Sequence, residues 1–365
     1  MLDRNRPGST FRGVPAVLDE RRRRILFAVV TEYIASGRPV GSRRLAKRYR
    51  LRLSPATIRN VLSDLEDAGF VRQPHTSAGR VPTDRGFRCF VDAMATAGDI
   101  LDSHRMTLMS RLERLGPGED AVRETAQLLS SLTGTATIIS RPPVSEAVLD
   151  QLRFIALSGG RTLAVLVMHS GTVENRILMA GGAIEPRALE RVNNYLERVV
   201  AGRTLSGVRD TLAARIAHEE GHYAVLQAQA REMVEATVTK SDEAERVVIE
   251  GQGALFDRPE FGDSEKIRGY LSAFDEKRKL LELLEQTVAA QGVQVFIGSE
   301  TALGDVQDIS VISSSYRREG SNVGSLGIVG PTRIDYTSFV PLVGFAADML
   351  SDLMDGRPPG SSDKS

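Results

Sequence analysis

Along the first hundred residues the apolar positions recur at helical spacing, in short segments separated by turn-forming residues. Ile25, Leu26, Val29, Val30, Tyr33 and Ile34 return every three or four positions within Arg21–Ala35, which predicts an amphipathic helix stopped by Gly37. Ser42 is placed to cap a second short helix with Leu45, Ala46 and Tyr49 turned inward. Ser54 followed by Pro55 is a strong start signal for a third helix, Pro55–Ala68, ended by Gly69. Ile58, Val61, Leu62, Leu65 and Ala68 share its inward side, and Thr57, Asn60 and Asp64 lie opposite. From Phe70 to Pro82 the pattern fits a β-hairpin with Thr76–Gly79 at its tip. Thr83 then caps a helix carrying Phe87, Phe90, Val91 and Met94. Three helices and a hairpin in this order predict a winged helix-turn-helix over residues 21–96.

Beyond residue 100 the period changes several times. Met106–Leu115 and Ala121–Leu132 read as helices. Four β-type runs follow: Thr135–Ser140, Leu152–Ala156, Leu163–His169 and Val173–Met179. Leu163–His169 is nearly all apolar, as expected of a central strand. Pro186–Val200 and Val208–Val238 return to helical spacing. Glu245–Phe256 reads as a short extended piece and Ser264–Thr287 as one amphipathic helix. Val293–Ile297, Ile309–Ser315 and Gly324–Val329 are strands, and Phe339–Met354 is a closing helix. Strands, then helices, then strands again is the order of a sheet domain with a helical insertion. The pattern predicts an α+β multidomain protein with a leader over residues 1–20 and a polar tail over 356–365.

Charge sharpens this picture. The 365 residues carry 47 basic and 47 acidic side chains, but residues 1–95 hold 19 basic and 9 acidic ones. The remainder holds 28 and 38. A basic first quarter on an acidic body predicts one surface built for a polyanion. Tryptophan is absent and aromatics are only 5%, which favours duplex over stacked single strands as that polyanion. The third helix is itself polarised. Thr57, Arg59, Asn60 and Ser63 occupy its start, whereas Asp64, Glu66 and Asp67 at its end would repel phosphate.

A single cysteine, Cys89, excludes an intramolecular disulfide and a Cys-rich zinc module and fits a reducing cytosol. No apolar run is long enough for a transmembrane helix. One string invites an enzymatic reading: His218-Glu219-Glu220-Gly221-His222 matches H-E-x-x-H. Gly221 weakens the helix such a site needs, and no third-ligand motif follows. Neither Gly251–Gly253 nor Gly324–Gly330 has the spacing of a phosphate loop. His104, His169 and Cys89 read as structural or surface residues. No cofactor, no metal and no enzymatic activity are expected.

Three segments, PVGSRRLA (Pro39–Ala46), LSPATIRNVLSDLEDAGF (Leu53–Phe70) and PHTSAGRVPTDRGFRCFVD (Pro74–Asp92), resemble the HrcA heat-inducible transcription repressors. The resemblance covers most of residues 21–92. It implies a winged-helix domain reading an inverted-repeat operator upstream of chaperone genes. It also implies a GAF-like domain with an inserted dimerisation domain, and an active state promoted by the GroE chaperonin. Placed on this chain, the GAF-like domain takes residues 97–185 and 255–355, and the mostly helical insertion takes 186–254.

The expected reading is a cytoplasmic, dimeric, sequence-specific repressor of heat-shock genes whose partners are duplex DNA, a second copy and GroEL. The alternatives are a small-ligand-responsive regulator of GAF type and a zinc peptidase. Ser54 caps the recognition helix. Thr57, Arg59 and Asn60 are expected at base edges, because arginine pairs bidentately with guanine and asparagine with adenine. Ser63 lies beside them. Ser42, Arg43, Arg44, Lys47 and Arg48 of the second helix, with His75, Ser77 and Arg80 of the hairpin, are expected on phosphates.

Overall fold

The computed structural model describes residues 18–76, 78–94, 100–115, 120–169, 173–179, 185–216, 222–237, 246–255, 264–290, 292–303 and 308–361. Among them the chain begins with α1 (Glu20–Ser36), α2 (Ser42–Arg48) and α3 (Pro55–Asp67). A two-stranded antiparallel hairpin, β1 (Val71–Arg72) and β2 (Val81–Pro82), leads into α4 (Asp84–Met94). Asp19 caps α1 through the Arg22 N–H at 2.7 Å, and Gly37 ends it in the left-handed conformation that glycine adopts without penalty (φ 63°). Val40 bridges Arg80, so the start of α2 is held to the hairpin. The inward residues expected of α1 and α3, among them Ile25, Leu26, Ile58, Leu62 and Leu65, are buried together.

The body is a five-stranded sheet in the order β8–β3–β11–β10–β9, antiparallel throughout. Its strands are β3 (Ala136–Ser140), β8 (Val247–Glu250), β9 (Gln294–Ile297), β10 (Ile309–Arg318) and β11 (Ser321–Pro331). Alternate strand residues enter different cores, as a period of two requires: Ile139, Ile312 and Ile328 on one side, Ile138, Val311 and Val329 on the other. The first side is covered by α6 (Ala121–Thr133) and α12 (Tyr336–Met354), with α5 (Asp102–Leu112) packed on both helices. The second is covered by α10 (Ser264–Asp275) and α11 (Lys277–Ala289). Burial on both faces explains why β10 and β11 read as continuous runs in place of alternating ones. Two buried serines there are paired: Ser310 meets Tyr336 Oη at 2.7 Å and Ser313 meets Thr287 at 2.7 Å.

Between β3 and β8, which are neighbours in that sheet, the chain leaves the body for about a hundred residues. The excursion builds a four-stranded antiparallel sheet, β6–β5–β4–β7, from β4 (Val148–Ala156), β5 (Arg161–Met168), β6 (Val173–Met179) and β7 (Arg203–Thr204). One face carries α7 (Pro186–Val200), α8 (Leu205–Ile216) and α9 (His222–Thr237) over a core of its own. The neck is closed by the Arg141 N–H donating to the Arg246 carbonyl at 2.7 Å.

Three expectations change here. The strands from 148 to 179 belong with the helices of the excursion, not with the body, and Val247–Glu250 belongs to the body. The excursion therefore runs from about residue 142 to 245, not 186 to 254. Strand pattern specifies which face is apolar but not which sheet a strand joins. Leu163–Met168 is interior to its sheet, yet among the described residues no layer covers its outward side, which stays half-buried. The single helix expected over Ser264–Thr287 is two, broken at Glu276 (ψ 57°), which lets both α10 and α11 lay apolar residues on the sheet. Of Val208–Val238, the described residues are helical up to Ile216 in α8 and from His222 to Thr237 in α9, and residues 217–221 lie outside the described residues. No described helix is long and apolar enough to cross a membrane.

Candidate nucleic-acid interface

The third helix starts as its sequence requires. Ser54 Oγ accepts from the Thr57 N–H at 3.1 Å, with Pro55 in the first turn. The Ser54 hydroxyl also meets the Thr57 hydroxyl at 2.8 Å, which fixes the Thr57 side chain, half-buried, at the helix start. Arg59, Asn60 and Ser63 are exposed, and among the described residues their side chains make no hydrogen bond or ion pair. Two of the three carboxylates at the opposite end are committed. Asp64 accepts from Arg22 of α1 at 2.9 Å. Glu66 pairs with Arg80 at 2.6 Å and accepts from the Gln73 N–H at 2.9 Å. Asp64 and Glu66 therefore anchor α3 to α1 and to the hairpin, Asp67 stays exposed beside them, and Arg59 and Asn60 stand uncommitted in the first turns.

Several expected phosphate contacts are placed otherwise. Ser42 is the first residue of α2, not its cap; Gly41 occupies the cap position and Ser42 is buried. Arg80 is turned inward onto Glu66 with only 17% of its side chain exposed, because the backbone of Arg80 is pinned to Val40. Arg44 and Arg48 converge on Glu32, a fully buried carboxylate of α1, at 2.5 and 3.2 Å. Tyr49 donates to the same carboxylate at 3.2 Å. Burial, reinforced by the Glu32 charge, raises the Tyr49 phenol above its ordinary range. These two arginines thus hold α2 on α1, each leaving about half of its side chain in solvent. Arg43, Lys47 and His75 are exposed, and among the described residues their side chains carry no ion pair or hydrogen bond. Ser77 lies outside the described residues, while Gln73 Nε2 donates to the Thr76 and Ala78 carbonyls, 2.9 Å each, on either side of it.

The structure adds cations that the sequence reading missed. Arg38, Arg50, Arg52 and Arg72 are exposed in the same unit. Arg50 and Arg52 alternate with Leu51 and Leu53, which pack on the core, in the connection from α2 to α3. The alternation in Arg50–Leu53 was the available signal: in an extended turn the leucines go inward and the arginines outward. Arg52 adopts φ 53°, a left-handed conformation uncommon for a non-glycine residue. Cys89 is half-buried, and its thiol is pushed up chiefly by burial, which suits a packing residue more than a reactive one. Of the H-E-x-x-H string only His222 lies within the described residues, at the start of α9.

This unit packs directly on the body. Phe87 of α4 lies 6.1 Å from Tyr336 and 6.2 Å from Tyr33, ring to ring. Arg88 pairs with Glu300 and donates to the Val295 carbonyl, and Arg333 donates to the Ile34 carbonyl at 2.8 Å. At Gly298 the backbone is left-handed (φ 55°), and a Cβ would collide with the Asp84 carboxylate.

The family described as "HrcA protein C terminal domain" matches residues 119–340, more than half of the chain. The heat-inducible transcription repressor HrcA of Sorangium cellulosum (strain So ce56) is 42% identical over 340 residues, 92% of this chain and 98% of that protein. The repressor of the same name from Geobacter sulfurreducens is 38% identical over 341 residues, covering 93% and 99%. A solved structure described as a hypothetical protein at 2.2 Å resolution shares the fold. Its TM-score is 0.61 at 24% identity, and the match covers 93% of this chain and 98% of that one. With the family domain over more than half of its length and two repressors of that name matched along nearly all of it, the chain belongs to the HrcA family of heat-inducible transcription repressors.

Proposed function

We propose that the chain is a dimeric, sequence-specific repressor that seats the start of α3 in the major groove of an inverted-repeat operator at heat-inducible genes. The observation that carries this reading is the division of α3: Arg59, Asn60 and Ser63 stand uncommitted at the capped end, while Asp64 and Glu66 are consumed by Arg22 and Arg80. The three helices and hairpin act as a winged helix. Thr57, Arg59 and Asn60 read base edges. Arg43, Lys47 and His75 position the phosphates, with Arg50 and Arg52 added. Arg44 and Arg48 serve first as braces, and their outer halves supply further positive charge.

The body acts as a GAF-like domain, and the excursion between β3 and β8 as the dimerisation unit. Its sheet face that no described element covers supports this. Ile155, Leu163 and Ile177 stand in one cross-strand row. Ile155, Val173 and Ile177 are 48, 54 and 59% exposed. A twofold partner would cover such a face. The protein works in the cytoplasm, and the GroE chaperonin promotes the operator-binding form. Belonging to a family of repressors, the chain is not an enzyme, and the H-E-x-x-H string is not a peptidase centre.

Selection of bound duplexes from a random pool tests the proposal. An inverted repeat is expected, and the absence of any shared sequence overturns the reading. Within the selected site, Arg59→Ala is expected to cost about 1–3 kcal/mol and to relax preference at one base pair. A uniform loss over all sequences would make Arg59 a phosphate contact. The chaperonin part stands separately: operator binding should rise on addition of purified GroEL, and no change removes that part alone.

A further inference from the structure

A cavity of about 630 Å³ lies beside the neck of the excursion. Its wall carries five cations, Arg123, Arg141, Arg176, Arg246 and Lys277, and two carboxylates, Glu174 and Asp275. Residues 96–365 as a whole are acidic, so this concentration of arginine is not the by-product of a generally basic surface. Arg141 pairs with Asp120, Arg123 with Glu250 at 3.1 Å and Arg246 with Glu285 at 3.1 Å. Those three acidic partners are not part of the wall, whereas Arg176 pairs with Glu174 of the wall at 3.2 Å and donates to the Thr237 carbonyl at 2.6 Å. Arginine carries five N–H donors, and one carboxylate leaves several of them free for an anion. An apolar strip of Val248, Ile249 and Phe274 lines the same space. The volume falls in the range of small-molecule sites, roughly 300–1,000 Å³.

The position matters as much as the charge. Arg141 and Arg246 are the two residues that close the neck: the Arg141 N–H donates to the Arg246 carbonyl at 2.7 Å, and Arg246 Nε donates to the Arg141 carbonyl at 3.1 Å. Glu174 and Arg176 come from β6 of the excursion; the other wall residues come from the body or the neck. Excursion and body bury separate hydrophobic cores. We propose that this cavity binds a small molecule bearing two or more linked phosphate groups, held between the neck arginines, Arg123, Lys277 and Arg176 of β6. The planar guanidinium forks of Arg123, Arg141 and Arg246, each with one carboxylate partner, match a chain of phosphates, each offering several acceptor oxygens, better than a single carboxylate. Bound there, the ligand ties the excursion to the body across a joint that has no shared core. That this alters operator binding rests on the repressor reading; the site itself does not.

Isothermal titration of the full-length protein with sodium tripolyphosphate, ATP and GTP tests the site. One saturable site per chain is expected, weakening as salt is raised. Lys277→Ala and Arg123→Ala, which leave the neck contacts in place, are each expected to weaken it about tenfold or more. Arg278→Ala, a neighbour outside the cavity wall, should leave it unchanged. Melting curves of each variant separate lost binding from lost fold. Tripolyphosphate binding as tightly as the nucleotides means that the phosphate chain alone is recognised. Tighter nucleotides mean that the apolar strip takes the base. Either result supports the site. Failure of all three probes, or binding that both alanine variants leave intact, overturns it. Tight binding of an oligoglutamate peptide with none of the phosphates assigns the cavity to a protein partner and overturns it too. Phosphate binding by a protein that selects no operator would refute the repressor reading and keep the site.

Discussion

The N-terminal unit and the excursion hang from the same body by opposite means. Residues of α1, α3 and α4 belong to one continuous hydrophobic cluster with α12 and one face of the five-stranded sheet. The excursion buries Leu152, Phe154, Val192, Leu196 and Leu212 in a cluster of its own and meets the body at a neck and a cavity lined with charge. A shared core fixes orientation, because apolar surface cannot separate without exposure to water. A neck between separate cores fixes connection but leaves orientation cheap to change. For the proposed repressor, the angle at which α3 meets DNA is thus set by the body, whereas the pairing of two chains is set by a unit that can shift.

Substitutions can break this contrast. Phe87→Ala removes a buried ring from the joint between α4 and α12 and is expected to cost about 3–5 kcal/mol. Calorimetry should show the N-terminal unit and body melting together at lower temperature, with the excursion's transition unmoved. A separate early transition of the N-terminal unit would show the shared core to be less cooperative than its continuity implies. Leu196→Ala is the reciprocal experiment, with about 2–5 kcal/mol expected. It should lower only the excursion's transition and weaken dimers, read by sedimentation.

Glu32→Ala tests the bracing of α2. Its carboxylate is buried, but Arg44 and Arg48 stay half in solvent. A loss of about 1–2 kcal/mol is expected, below that for a fully buried pair. Operator affinity should fall without a change in base preference. Asp92→Asn should have the smallest effect. Burial raises the Asp92 carboxyl above its usual range, against the pull of Arg88. The folded chain then holds this proton at higher pH than the unfolded chain does. Stability contributed here is lost as pH rises from the ordinary 3.8 through the raised value. The substitution should flatten that slope in denaturant titrations.

Much of the N-terminal unit was legible because its signals are local. Ser54-Pro55, Gly37, Gly69 and Thr83 stand where caps and stops were expected, and Thr83 Oγ1 accepts the Gly86 N–H at 3.2 Å. The candidate interface was half legible. Exposure of Arg59 and Asn60 follows from helical phase, but the inward turn of Arg80 and the convergence of Arg44, Arg48 and Tyr49 on Glu32 join residues far apart in sequence. A basic residue looks the same in the sequence whether it waits for a phosphate or holds a buried acid.

By itself the sequence determined the elements and their apolar faces: period, caps and turn residues act over a few positions, so they are written where they operate. Only the tertiary structure decided which sheet received Val148–Met179, which cations were already spent, and that arginines from opposite ends of a hundred-residue excursion would share one cavity. Those outcomes depend on which distant surfaces meet, and local pattern does not encode distance.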